Sequence, residues 1–313
     1  MKRTARLCRD ALRSSVVVAS VAVPALAAEG EVAGAFDIGD GRRMYLECRG
    51  TGSPTVLVVP GGKASAEDWT QGAPVFADVA AFTRVCAYDR PGTPLADGSP
   101  SRSDPAPMPT SAAASVADLR ALVVAAKVAT PFVIVGHSYG GLVVRLYAMT
   151  WPGDVAGMVL VDALSEFLRV AETPDEWRWQ KIILDGDMTE SLKIYPELER
   201  ADADESFDQL LAAPPLRPMP LVVLSADHPW GPLVPGFIAD GLLGPDTPPD
   251  VGYVTDRAQK VAQADLAALV PAARHVTKTD SGHNIHKNNP QLVTDAIRDV
   301  VDAVRSGRTA LGP

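Results

Sequence analysis

The run Val133-Ile134-Val135-Gly136-His137-Ser138-Tyr139-Gly140-Gly141 restricts this chain more than any other stretch, together with its continuation Leu142-Val143-Val144-Arg145-Leu146-Tyr147-Ala148. A β-branched apolar run, a Gly-x-Ser-x-Gly core and a helical continuation read as strand, sharp turn and helix, with Ser138 at the apex. So tight a bend holds the serine in a strained backbone conformation, and the residues two away must lack Cβ atoms for strand and helix to pass. The hydroxyl then projects from the carboxyl edge of a sheet, and the first amides of the new helix point at the same spot. Ser138 is therefore a candidate nucleophile. The bland alternative is a plain strand-to-helix turn.

The N-terminus reads as an address. Lys2, Arg3, Arg6, Arg9 and Arg13 form a basic region, Ser15 to Ala27 is apolar, and Ala25-Leu26-Ala27 offers an A-x-A cleavage site. The apolar stretch falls short of the roughly 20 residues that span a bilayer. Residues 1–27 are thus expected to be a signal peptide, with 28–313 the exported domain and no stable membrane insertion; an uncleaved anchor is the alternative. The five basic residues and Asp10 together carry +4, so removal of the leader takes the formal charge from −9 to −13. Such an acidic surface argues against nucleic acid and anionic membrane as partners. Export also changes the meaning of the cysteines. Cys48 and Cys86 remain, an even number in an oxidising compartment, each in a strand-like segment. A Cys48–Cys86 disulfide is expected; the alternative is two buried thiols.

Two strand-like segments flank Gly39-Asp40-Gly41, a hairpin signal. Thr55 to Val59 is a continuous apolar run of the kind buried on both faces of a parallel sheet, and it ends in Pro60-Gly61-Gly62. Further strands are expected at Val85–Tyr88, Met158–Asp162, Pro220–Ser225 and Arg274–Thr279. Helices are expected at Ser115–Lys127, at Ala258–Val270 and from Pro290, a favourable first-turn position. Residues of about 163–219, with Trp177 and Trp179 among mixed charges, look like a small helical cap inserted over the carboxyl edge. Residues 229–255, rich in Pro and Gly, look like an irregular excursion from the same edge. Strands alternating with helices imply an α/β fold with a mostly parallel sheet covered on both faces.

A neutral serine needs a base, and the base needs an orienting carboxylate. Of the five histidines, His283 follows the flexible Ser281-Gly282 turn just past the last strand and is the preferred base; His286 is the alternative. His137, beside Ser138, is expected to serve in packing. The carboxylate is Asp162, at the end of its strand, or Asp227, just past the next one; Asp162 is preferred, with Glu166 nearby as a helper. Either is otherwise an ordinary turn or helix-capping aspartate. The oxyanion donors would be the backbone N–H groups of Gly62 and Tyr139. Asp89-Arg90 more simply holds loops through charged hydrogen bonds. No metal-ligand spacing is apparent, and neither metal nor cofactor is expected.

Four motifs in order make the chain resemble the α/β-hydrolase superfamily over nearly all of residues 34–305. Pro60-Gly61-Gly62 stands where many members have His-Gly-x, and Asp89-Arg90-Pro91-Gly92 matches an Asp-Arg-x-Gly turn. Gly136 to Gly141 matches the nucleophile elbow, and Ser281-Gly282-His283, followed by Pro290 and an apolar helix, resembles the terminal histidine motif. The resemblance implies a mostly parallel eight-stranded sheet with helices on both faces, and neighbouring second and fourth strands, which supports the Cys48–Cys86 pairing. A serine nucleophile excludes the aspartate-nucleophile branches, the epoxide hydrolases and haloalkane dehalogenases. The expected activity is cleavage of a small-molecule carboxylic ester or lactone through an acyl-enzyme, that is, a carboxylesterase-type serine hydrolase. A secreted aminopeptidase or amide hydrolase, and a non-catalytic ligand-binding member, are the alternatives.

Overall fold

Alternation along the central strands decides the layering. In the strand at Phe132–His137, Val133 and Val135 face one cluster of buried side chains while Phe132 and Ile134 face the other. The same division holds for Val56 and Val58 against Leu57 and Val59. A strand that must bury both faces belongs inside a sheet with helices on either side. The structure, a computed structural model, describes residues 30–186 and 188–311. The proposed signal peptide lies outside these residues.

The strands are β1 (Val32–Gly39), β2 (Arg42–Arg49), β3 (Val56–Val59), β4 (Val85–Tyr88), β5 (Phe132–His137), β6 (Val155–Val161), β7 (Leu221–Leu224) and β8 (Arg274–Val276). They form one eight-stranded sheet in the order β1-β2-β4-β3-β5-β6-β7-β8. β1 and β2, and β2 and β4, pair antiparallel; every other pairing is parallel. Gly39 faces Arg42 across a two-residue turn whose Asp40 and Gly41 both have positive φ, the geometry that suits the twist of a hairpin. Cys48 lies directly opposite Cys86 in the β2–β4 ladder, and the two are joined by a disulfide.

One face is covered by the helices Ala112–Ala125, Gly140–Thr150 and Val251–Ala268, which contribute Leu119, Val143 and Leu266 to the core. The other face is covered by the helices Val75–Ala80 and Pro290–Arg305, through Phe76, Ile297 and Val300. Pro290 opens its helix behind Asn289, whose side chain caps the Leu292 amide. Between β6 and β7 stand the helices Phe167–Val170, Pro174–Asp185, Thr189–Ile194 and Ala203–Ala212. The second of these begins with a reciprocal Thr173/Glu176 capping box and a first-turn proline. Among the described residues, no helix is long and apolar enough to cross a membrane.

Several boundaries differ from expectation: the helix expected at Ser115–Lys127 runs over Ala112–Ala125, and the strand expected at Met158–Asp162 over Val155–Val161. The stretch 229–255 is not wholly irregular: it holds a helix at Val234–Ala239, and the next helix begins at Val251, ahead of the expected Ala258. Its first turn lacks a capping side chain and is stabilised instead by contact, with Gly252 closely packed on Val234 and Gly231. The last strand ends at Val276, because Thr279 turns away to donate its hydroxyl to Ser225 O and Asp227 Oδ1.

Glu172, just beyond the Phe167–Val170 helix, keeps both carboxylate oxygens buried without a hydrogen-bond partner among the described residues. Burial, with Glu176 adding and Arg257 opposing, pushes its pKa up to about 7. In the unfolded chain the group returns to its ordinary value near 4.5. Below that value both states are protonated and the group costs nothing; the cost grows as pH rises toward 7 and is complete above it. Glu172→Gln is therefore expected to raise Tm by about 2–4 °C near pH 8, where roughly 1 kcal/mol remains after allowing for partial exposure. Near pH 4.5 the gain shrinks to below about 1 °C. Equal gains in melts at the two pH values would refute this assignment.

Candidate functional site

Parallel strands deliver their following loops to one edge of the sheet. The segments 60–63 after β3, 138–139 after β5, 162–164 after β6, 226–228 after β7 and 279–283 after β8 all emerge there. Ser138 has φ +50°, a left-handed conformation costly for a residue with a Cβ. It persists because the turn is held on several sides. Ser138 N–H donates to Val161 O at 3.3 Å, and Ser138 O accepts from Gly141 N at 2.8 Å and Leu164 N at 2.9 Å. A Cβ on Gly136 would sit 2.7 Å from Gly140 O, so the crossing of strand and helix needs the glycine.

The Pro60–Lys63 loop lies against this turn. A Cβ on Gly61 would come within 3.3 Å of Ser138 Cβ, and one on Gly62 within 3.5 Å of Tyr139 Cβ. Neither the N–H of Gly62 nor that of Tyr139 finds an acceptor among the described residues. Two free amides beside a strained serine are suited to receiving an oxyanion. The Tyr139 hydroxyl points elsewhere, to Ser115 Oγ at 3.1 Å, and burial pushes its pKa up to about 12.

His283 Nδ1 lies 2.7 Å from Asp162 Oδ2. Asp162 is buried, has φ +39°, donates its N–H to Leu224 O and accepts the Ala226 amide on Oδ1 at 3.0 Å. The His283 ring is about half exposed (52 %), open to an incoming molecule. An imidazole with Nδ1–H on a buried carboxylate presents Nε2 as a proton acceptor. Asp227 makes a different set of contacts. Its oxygens accept from Thr279 Oγ1, Thr279 N and Ser281 N, bonds that lower its pKa and hold the loop leading to His283. Glu166 is not free to help, since it forms a buried, two-pronged pair with Arg145 at 2.6 and 2.5 Å.

His137 does more than fill space. Its Nε2 donates to His283 O at 3.1 Å, and the two rings lie 4.7 Å apart. Because a carbonyl only accepts, Nε2 carries the proton and Nδ1 is left bare, buried and without a partner among the described residues. Burial lowers the His137 pKa, so the ring stays neutral. His286 is also buried: it stacks on Trp69 at 4.5 Å and has Asp68, at 2.9 Å, as its carboxylate partner. Asp68, His137 and His286 each bring one ligand atom within 4.8 Å of the others, a grouping not legible from sequence spacing. Both Asp68 oxygens are already engaged, by His286 and Lys287, so a cation there would have to displace them.

Asp89 and Arg90 both hold loops, with separate partners. Asp89 takes Arg102 at 2.7 Å and the Ala66 amide at 2.8 Å. Arg90 takes Glu199 from the segment between β6 and β7, and the carbonyls of Pro60 and Gly61.

The sequence model described as alpha/beta hydrolase family matches residues 56–296. The uncharacterized protein YqjL of Bacillus subtilis is 27% identical over 266 residues, covering 83% of this chain and 89% of that protein. The probable transporter efuK of Hormonema carpetanum is 26% identical; the match covers 88% of this chain but 44% of that protein. Among solved structures, carboxylesterase CesB from Bacillus subtilis is similar in fold, with a TM-score of 0.55 at 14% identity, covering 88% of this chain and 92% of that one.

Proposed function

The chain belongs to the alpha/beta hydrolase family, and we propose that it cleaves a carboxylic ester, or a lactone, through an acyl-enzyme formed on Ser138. The observation that carries this reading is the 2.7 Å bond between Asp162 and His283 at the sheet edge where strained Ser138 emerges. His283 Nε2 takes the Ser138 proton as Oγ attacks the carbonyl carbon, and Asp162 keeps Nδ1 protonated and stabilises the imidazolium that forms. The tetrahedral oxyanion is received by the amides of Gly62 and Tyr139. Collapse expels the alcohol, which leaves with the proton held on His283. Water then enters, gives a proton to His283 and attacks the acyl carbon; a second collapse releases the acid and restores Ser138.

Only side chains, backbone amides and water take part in this sequence. The helical segment between β6 and β7 serves as the proposed cap over the acyl group. The basic leader and the Cys48–Cys86 bond support an exported, extracytoplasmic enzyme.

The test is a panel of p-nitrophenyl esters of increasing chain length, lactones and aminoacyl-anilides, beside labelling with a fluorophosphonate. Ester or lactone turnover with one label on Ser138 is the expected result. Cleavage of anilides but not esters or lactones would make the protein an amide hydrolase. Absence of both turnover and label would leave a ligand-binding member of the family.

A further inference from the structure

Glu199 stands in the segment between β6 and β7, yet its carboxylate is buried at the loop that carries Gly62; it and Arg90 are each 2 % exposed. Glu199 Oε1 accepts from Arg90 Nε at 2.6 Å and Oε2 from Arg90 Nη2 at 3.0 Å. Oε2 also accepts the backbone N–H of Lys63 at 2.6 Å. The same guanidinium donates onward to Pro60 O at 2.8 Å and Gly61 O at 2.5 Å. The loop is thereby gripped at three points, Pro60, Gly61 and Lys63, with Gly62 between the last two. Lys63 has φ +59°, an unfavourable conformation for a residue with a side chain, and its amide is the one Glu199 holds.

The segment around Glu199 is itself tied down. Glu199 N–H donates to Gly92 O at 2.9 Å, Thr110 N–H to Arg200 O at 2.7 Å, and Asp202 N–H to Thr110 O at 2.8 Å. Gly92 has φ +78°, and a side chain there would run into the backbone at Glu197 and Glu199. The glycine of the Asp89-Arg90-Pro91-Gly92 turn thus makes room for this strap.

We propose that Glu199 is a positioning residue for the oxyanion loop: the inserted segment supplies the anion that fixes Pro60 to Lys63, so the Gly62 amide is aimed only when that segment is docked. The proposal rests on the ester-hydrolase reading of Ser138. Its chemistry is specific to a carboxylate. Glu199 as an anion accepts from three N–H donors at once. A glutamine amide offers one accepting oxygen and turns an NH2 group toward an N–H donor, so either Arg90 Nε loses its acceptor or Arg90 Nη2 and the Lys63 amide lose theirs together. A loop released in this way leaves substrate binding on the acyl side largely intact and weakens the transition state, where the oxyanion develops.

The experiment compares wild type, Glu199→Gln and the double variant Arg90→Met with Glu199→Leu, each normalised by fluorophosphonate titration to count folded, reactive sites. The double variant removes both charges together, which a core tolerates far better than one orphaned ion, and so gives a folded protein if the single variant unfolds. Steady-state kinetics on the best p-nitrophenyl ester are read beside affinity for a trifluoromethyl ketone, whose tetrahedral adduct places an oxyanion in the same hole. The expected result is a fall in kcat of about 100-fold per reactive site, KM within about threefold, and a matching loss of ketone affinity. Unchanged kcat and ketone affinity in folded variants of an active wild type overturn the positioning role alone. A rise in KM with kcat intact also overturns it, since Glu199 would then serve binding. A wild type without turnover or label removes the hydrolase reading and this inference with it.

Discussion

Ser138→Ala is expected to lower kcat about 10⁶-fold, and Asp162→Asn about 10³- to 10⁴-fold, on the best ester substrate. The serine effect follows from removing the atom that forms the covalent bond in the proposed mechanism. The aspartate effect follows from the tautomer. With Asp162 ionised, His283 keeps its proton on Nδ1 and offers a lone pair at Nε2. In Asp162→Asn the new side-chain amide presents an NH2 donor in one orientation, which drives the ring proton to Nε2 and leaves no base facing Ser138. In the other orientation it accepts the hydrogen bond but carries no charge to stabilise the imidazolium. Asp227→Asn is expected to cost no more than about tenfold, because Asp227 holds the Thr279–Ser281 turn and acts on His283 only through that loop. Rates per mole of folded protein, with folding checked by circular dichroism, test this, since Ser138→Ala takes no fluorophosphonate label. A larger loss at Asp227 than at Asp162 would move the orienting role to Asp227.

The largest expected effect on stability is at Glu166. Arg145 is fully buried, and both of its Nη atoms donate to Glu166. Glu166→Ala strands that cation in the core, which typically costs about 3–5 kcal/mol. In a domain of this size the cost corresponds to a fall in Tm of roughly 10 °C. Replacing both partners, Arg145→Met with Glu166→Leu, should restore most of the loss, because no charge is left unpaired. The pair joins the helix that follows Ser138 to the loop that follows β6, and Leu164 N–H from that loop bonds Ser138 O. Loosening it should therefore lower kcat in Glu166→Ala as well as Tm. Thermal and denaturant melts test the first point. A loss below about 1 kcal/mol would show that Arg145 reaches solvent or another anion once Glu166 is gone.

The sheet and the serine turn were legible in the chain because each depends on neighbours in sequence. Continuous apolar runs at Val56–Val59, Val133–Val135 and Met158–Val161 cannot be half-exposed strands, and a Gly-x-Ser-x-Gly crossing between strand and helix has few conformations. The Asp40-Gly41 turn and the Pro290 helix start are likewise local matters of φ and hydrogen bonding. Helix Val251–Ala268 was legible only in part. Its first turn has no capping side chain, and contact of Gly252 with Gly231 and Val234 stabilises it.

The functional partners divide along the same line. That Asp162 and Asp227 both stand just after a strand is written in the chain. Which of them reaches His283 depends on the path of the loop after β8, and Asp227 is drawn off by Thr279 and Ser281. The role of His137 had no readable signal, since its hydrogen-bond partner is a backbone carbonyl at His283. Arg90 was recognisable as a loop-holding cation, but Glu199 carries no motif and lies 109 positions away in the chain. Residue types and local spacing are sufficient to name a candidate nucleophile, a candidate base and the sheet that presents them. Pairings such as Asp162 with His283, Glu199 with Arg90 and Glu166 with Arg145 form only in the folded chain, because burial makes each ion select a partner that sequence distance does not constrain.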